Sequence, residues 1–450
     1  MKTILLILPF LISFFNGLCI VTLILGDEIR SHKLLHFSLA GGLGLGLSGF
    51  VGYFNFLVLD RYNPNFQITI NLIILGLAFL GLLLSPKQEA AAMEANKQKW
   101  WWEISYLALF LVLFAPIYYI ASFYPYGGWD SWAVWHFKSR FMLLSGDAWR
   151  NMFDPLLWRS SPHYPLLLPL INVWGWTFVK EPTFYGPMIT SILYTLLSLT
   201  LLVSSLMPFK KDKFAFLGSC LLISSPFYGR TAISQYADIF LGYYLLAALV
   251  CIVYSVLRKK KRFALLGGIF TGLLSFSKPE GLAAALIVLG IATAYYLIYA
   301  RTSSFKGVIP FGVGSAMAMI LPLTFYLFIT PENMTMANGL VSKSDPSTWL
   351  RFKTILAYSL VEFLSIKKWK GLWVLIFILV LANLKRCFSK EIALIPAVLA
   401  SYGLLVGLYY LINTRFEILW WMGVSLDRIL GSLIPVFLWW VIYAYNWKRT

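Results

Sequence analysis

The sequence predicts an all-α polytopic membrane protein with about thirteen transmembrane helices. Apolar runs of about twenty residues recur from end to end of the 450-residue chain, each long enough to cross a bilayer as a helix. Hydrophobic residues make up 59% of the chain and charged residues only 12%, roughly half the charged share of a soluble domain. The net charge of +18 could point to nucleic acid, but Lys and Arg collect in short stretches between apolar runs. That placement is the footprint of membrane orientation and predicts no nucleic-acid partner.

Taken in order, spans are expected at 4–25, 34–59, 66–85, 104–124, 184–207, 214–231, 238–257, 263–278, 282–300, 307–329, 371–384, 391–412 and 429–446. The first, MKTILLILPFLISFFNG, lacks a small-residue cleavage site and reads as a span, not a signal peptide. In the second, Gly44, Gly46 and Gly49 match a dinucleotide-binding pattern, yet no strand precedes them. Glycines in mid-span instead let helices approach closely. Residues 165–179, PLLLPLINVWGWTFV, are short and carry two prolines; they read as a juxtamembrane or re-entrant segment. The chain divides into 1–103 with three helices, 104–329 with seven helices and the loop 125–183, and 330–450 with a loop and three helices.

Lys210/Lys211/Lys213, the cluster 258–262, Lys385/Arg386/Lys390 and Lys448/Arg449 are expected on the cytoplasmic side. Loops 125–183, 330–370 and 413–428 then lie outside, with the N-terminus out and the C-terminus in. The first of these loops holds Trp129, Trp132, Trp135, Trp149, Trp158, Trp174 and Trp176. Most are expected in an aromatic belt at the water–lipid boundary, and some to stack on sugar rings. Cys19, Cys220, Cys251 and Cys387 show neither metal nor disulfide spacing and read as packing residues.

Ionisable groups bordering membrane segments are costly and usually functional. Asp130 follows Gly127-Gly128-Trp129 just after a span, near His136, Lys138 and Arg140, and is well placed as a base. The plainer reading is a helix N-cap, and the same alternative holds for Asp238. His163 and Tyr164 precede the re-entrant segment. Lys278-Pro279-Glu280 interrupts two apolar runs, as an ion pair or as ligands for a phosphate and a hydroxyl. Arg230, Arg415 and Arg428 fall on the outer side, against the charge bias, where a lipid phosphate would account for them. Asn333-Met334-Thr335 is a glycosylation sequon. No phosphate-binding P-loop, zinc spacing or nucleophile elbow occurs.

Three stretches, GGWDSWAVWHFKSRF with HYPLLLPL, SQYADIFLGYY, and GGIFTGLLSFSKPEGLAA, resemble the GT-C fold glycosyltransferases; SLDRILGSLIP is a weaker echo. These membrane enzymes use polyprenyl-phosphate sugars. The likeness is to bacterial relatives of protein O-mannosyltransferases and lipid A aminoarabinose transferases. It covers roughly 100–330. The resemblance implies an inverting transfer of a sugar from a polyprenyl-phosphate donor to a hydroxyl of a glycolipid, polysaccharide or protein acceptor. It implies a bacterial cytoplasmic membrane, with the site facing the periplasm. Asp130 matches the catalytic carboxylate. Asp238 matches an acid that in some members binds a divalent metal (Mg or Mn), here together with Asp130. Lys278, Arg428 and Arg230 would bind the donor phosphate. His163, Tyr164, Glu280, Trp129, Lys138 and Arg140 would bind substrate. Asp130 lies between Trp129 and Ser131, so the paired acids of many relatives are missing. A transporter or flippase of lipid-linked sugars is the alternative; it would want ionisable residues at mid-bilayer.

Overall fold

The computed structural model describes residues 2–26, 32–85, 101–303, 306–332 and 347–445. The sequon at Asn333 and the pair Lys448/Arg449 lie outside the described residues. Among the described residues no strand forms. The helices are α1 (Lys2–Leu25), α2 (Lys33–Leu59), α3 (Pro64–Leu84), α4 (Trp101–Phe123), α5 (His136–Leu144), α6 (Leu167–Trp176), α7 (Tyr185–Ser204), α8 (Asp212–Ser224) and α9 (Pro226–Ser234). They continue with α10 (Ala237–Leu257), α11 (Lys261–Ser275), α12 (Pro279–Ser303), α13 (Val308–Phe328), α14 (Ser347–Leu364), α15 (Ile366–Trp369), α16 (Leu372–Ala382), α17 (Leu384–Cys387), α18 (Leu394–Ile412) and α19 (Ile418–Ala444).

Ten of these, α1–α4, α7, α10, α12, α13, α18 and α19, are long and apolar enough to cross a membrane, which makes the chain a multi-pass membrane protein. The other three expected spans are shorter. Residues 214–231 fall on α8 and α9, which part at Ser225-Pro226; proline lacks the N–H that would carry the helix through, and Ser225 Oγ accepts from Tyr228 N instead. Segment 263–278 is the 15-residue α11 and 371–384 the 11-residue α16. The segment 165–179 contains α6, ten residues long and wholly buried by protein.

Two expected loops are largely helical. Residues 330–370 contain α14 and α15, and 413–428 run into α19 at Ile418, where Glu417 caps Leu419 N and Trp420 N. Asp427 and Arg428 therefore sit inside a helix, which tolerates them because both are paired. Lys368 bridges Glu362 of α14 to Asp427 at 2.8 and 3.1 Å, and Trp369 Nε1 donates to Glu362, so α14 and α15 clamp the first half of α19.

At the centre stands α10, buried from Ala237 to Val256 and packed against α2, α7, α11 and α19. Small residues set the close crossings. A side chain on Gly44 would run into the Ser13 carbonyl of α1, and one on Gly46 into Leu273, so the glycine pattern of α2 serves helix packing. Gly268 and Gly314 do the same between α11 and α13. Polar side chains lock α1–α3: Ser13 and Ser48 share a hydrogen bond of 2.7 Å, Ser48 donates to Asn71, and Gln67 donates to the Ser48 carbonyl. Such bonds between membrane helices average about 0.6 kcal/mol each.

Four of the seven tryptophans of the loop 125–183 fold into the protein body and so take no part in an aromatic belt. Trp135, Trp149, Trp174 and Trp176 are fully buried, whereas Trp129, Trp132 and Trp158 are exposed. Buried indoles need partners, and three have them: Trp149 donates to Asp60, Trp174 to the Pro9 carbonyl and Ser13, and Trp176 to the Thr183 carbonyl.

Candidate functional site

The glycines ahead of Asp130 create the site's geometry. Gly127 has φ of +69°, a conformation that glycine adopts without strain. Gly128 N donates to the Ser234 carbonyl at 3.0 Å, and a side chain there would collide with the Tyr236 hydroxyl. The turn after α4 is thereby held against the turn before α10, and Asp130 is brought to the end of α10 that carries Asp238.

Neither carboxylate makes a helix-capping hydrogen bond, although Asp130 stands at an N-cap position. Asp130 precedes a single π-turn at Ser131–Trp135 but makes no side-chain cap bond, and Asp238 lies within the first turn of α10. Both turn to Arg428. Its Nη1 donates to Asp130 Oδ2 at 2.6 Å, while Nε and Nη2 donate to Asp238 Oδ2 at 3.1 and 2.8 Å. The guanidinium lies 4.3 Å from the centre of the Tyr236 ring. On the other side of Asp238, Lys278 Nζ donates to Oδ1 at 3.1 Å and lies 3.3 Å from Glu280 Oε1. Pro279 opens α12 directly after Lys278, so the lysine is fixed at a helix start. Three carboxylates and two cations from four distant stretches of chain thus form one cluster.

Exposure separates their roles. The side chains of Asp238 and Lys278 are 3% and 6% exposed, those of Asp130 and Glu280 24% and 32%. Asp238, shielded and held by two cations, is a counter-ion. Asp130 and Glu280 are the reachable carboxylates, and of the two Asp130 is the one bonded to Arg428. Burial alone would lower the Lys278 pKa, but the Asp238 and Glu280 carboxylates outweigh it and raise it, so the ammonium keeps its proton. Burial, and then the charge of Asp130, raises the Tyr236 phenol. Glu280 Oε2 is buried without a hydrogen-bond partner.

The expected metal does not fit. The guanidinium of Arg428 bridges Asp130 and Asp238, where a divalent ion would have to sit. Among the described residues no group of three or more His, Cys, Asp or Glu side chains is placed to hold a metal ion.

The remaining expected residues fare differently. Tyr164 has its ring 5.5 Å from that of Trp135 and feels the charges of Glu280, Lys278 and Asp130, beside the cluster. His163 lines a cavity of about 260 Å³ together with Trp158, Pro331, Glu332 and Arg415. Burial, then the Lys138 charge, lowers the His163 pKa to about 4 and leaves the imidazole neutral. Lys138, expected to meet substrate, is fully buried and donates to the carbonyls of Ser161, Pro162 and Tyr164 at 2.8, 3.3 and 2.9 Å. It is an internal strut with its three N–H bonds committed. Arg140 lies 6.0 Å from the Tyr126 ring, Trp129 meets Trp132 edge-on, and Arg230 is exposed on α9; none joins the cluster. Sequence reasoning missed Tyr236 beneath Arg428; its position beside the Asp238 stretch was the available signal. An open groove of about 510 Å³ runs along Phe123–Gly127 and Trp132, next to the Asp130 turn.

Comparison with protein-family profiles, with curated proteins and with solved structures finds no match to this chain.

Proposed function

We propose that this protein is an inverting glycosyltransferase of the GT-C type, moving a sugar from a polyprenyl-phosphate donor to an acceptor hydroxyl at the outer face of a bacterial cytoplasmic membrane. The observation that supports this most is the cluster itself: a reachable carboxylate, Asp130, bonded to a cation that is anchored on a buried acid. A resting scaffold protein has no need to place such a group at a helix end beside an open aromatic groove.

The acceptor hydroxyl oxygen bonds to the anomeric carbon while the bond from that carbon to the phosphate oxygen breaks. The electron pair leaves with the phosphate, and the hydroxyl proton passes to Asp130. One displacement inverts the configuration. A phosphate leaving group that is already ionised needs no general acid, but its growing charge needs cations, which Arg428 and Lys278 supply. General-base assistance of this kind contributes typically about 10²–10⁴-fold. The groove at Phe123–Gly127 and Trp132 suits an isoprenoid chain, because it is aromatic and leads to the Asp130 turn.

The test is envelope-glycan mass spectrometry in a deletion strain. A sugar mass should vanish on deletion, return with the wild-type gene and stay absent with stably expressed Asp130→Asn. Full restoration by Asp130→Asn would remove the base and bring the flippase reading forward.

A further inference from the structure

Both cations expected to receive a phosphate are already engaged by carboxylates, and the engagement is unequal. Asp238 accepts three hydrogen bonds from two cations and is shielded on all sides. Asp130 is joined through one nitrogen, Arg428 Nη1, and is the more exposed partner. The Nε–Nη2 edge of the guanidinium is fixed on Asp238 and its face on Tyr236. A phosphate that takes Arg428 Nη1 along the line now used by Asp130 competes with that single bond, whereas the Nε–Nη2 edge is held twice by Asp238.

We infer that Asp130 is a stand-in for the donor phosphate: the phosphodiester anion of the donor takes Arg428 Nη1, and the displaced carboxylate oxygen becomes free to accept the proton of the acceptor hydroxyl. This rests on the glycosyltransferase reading above. The exchange swaps one oxyanion for another, so Arg428 keeps a charge-assisted partner throughout. Displacing Asp238 instead would strand a buried charge, which is far more costly than releasing a group at the solvent edge. Until a donor arrives one oxygen of the base, Asp130 Oδ2, is thus occupied, and an acceptor entering first meets a carboxylate still tied to Arg428.

The exchange predicts an inverted effect: deleting the base should strengthen donor binding. The probe is farnesyl phosphate, a monoester that carries the lipid-borne phosphate of the donor without its sugar, titrated into the purified full-length protein in detergent, with farnesol as the phosphate-free control. Wild type should prefer farnesyl phosphate, and Arg428→Gln should lose that preference. Asp130→Asn should tighten farnesyl phosphate by about tenfold, the worth of one charge-assisted hydrogen bond no longer surrendered. Glu280→Gln removes the same charge from the same cluster without freeing Nη1, so its tightening should be clearly smaller. Asp130→Ser repeats the test if the Asn variant is poorly folded. Equal tightening by Asp130→Asn and Glu280→Gln, or weakening by Asp130→Asn, overturns the exchange while leaving the transferase reading intact. A wild type that does not distinguish farnesyl phosphate from farnesol overturns both.

Discussion

Replacing Lys278 by Met tests whether the cluster exists as a buried unit. The ammonium lies 3.1 Å from Asp238 Oδ1, with both side chains almost fully shielded. At an effective dielectric constant of about 20 the bare attraction is about 5 kcal/mol. Removing one member of a buried pair typically costs about 3–5 kcal/mol, mostly from the charge left behind. Asp238 would retain two bonds from Arg428, so the lower end applies, about 3 kcal/mol. The assay is denaturant unfolding of purified protein in mixed micelles, followed by far-ultraviolet circular dichroism. In the double variant Lys278→Met/Asp238→Asn the stranded charge is gone, so the combined loss should fall short of the sum by about 2 kcal/mol. A loss under about 1 kcal/mol for Lys278→Met, or strict additivity, would refute the buried pairing on which the site's description rests.

Acid should destabilise the fold through two histidines outside the spans. Burial, then neighbouring cations, lowers the pKa of His163 to about 4 and of His136 to about 3, against 6.5 unfolded. The folded state refuses protons that the unfolded state takes, so stability is full above pH 6.5 and drains as pH falls towards those values, by up to about 3 kcal/mol for His163. A His163→Gln variant should show a flatter stability profile, and an unchanged profile would contradict the neutral imidazole. Gly128→Ala drives a methyl group into the Tyr236 hydroxyl and, if Asp130 is the base proposed above, should cut transfer at least tenfold without loss of helicity, roughly 1.4 kcal/mol. Gly290→Ala, which meets open space, should leave transfer unchanged in the same glycan assay. Because Arg428 bridges the two acids, treatment with a chelator should leave transfer within about twofold, well under 1.4 kcal/mol. Loss of transfer that Mg or Mn restores would refute that bridge.

Asp130, Asp238, Lys278 and Arg428 could be singled out from the sequence because an ionisable group bordering an apolar run demands a reason. That they meet could not be read, since Arg428 is 298 residues from Asp130 and 190 from Asp238. The tryptophans misled for a related reason. Their density in 125–183 says only that indoles favour interfaces, whereas a loop folding back on Phe56, Asp60 and Ser13 offers them a protein interior and hydrogen-bond acceptors. Lys138 read as a ligand because it stands near an acid in sequence; the three carbonyls that hold it come from the chain beyond Ser160. The start of α19 was hidden by Asp427 and Arg428, which look like loop residues until their partners on other helices are known.

The distance along the chain also sets a timetable for synthesis. Ribosomes add about 5–20 residues per second. Lys278 follows Asp238 by 40 residues and so emerges about 2–8 seconds after it, while Arg428 follows by 190 residues, about 10–40 seconds after. During that interval the newly inserted acid has the lysine as its one cluster cation. Lys278 is thus the first of the two cations to follow Asp238 out of the ribosome, and α19 delivers the arginine that completes the cluster.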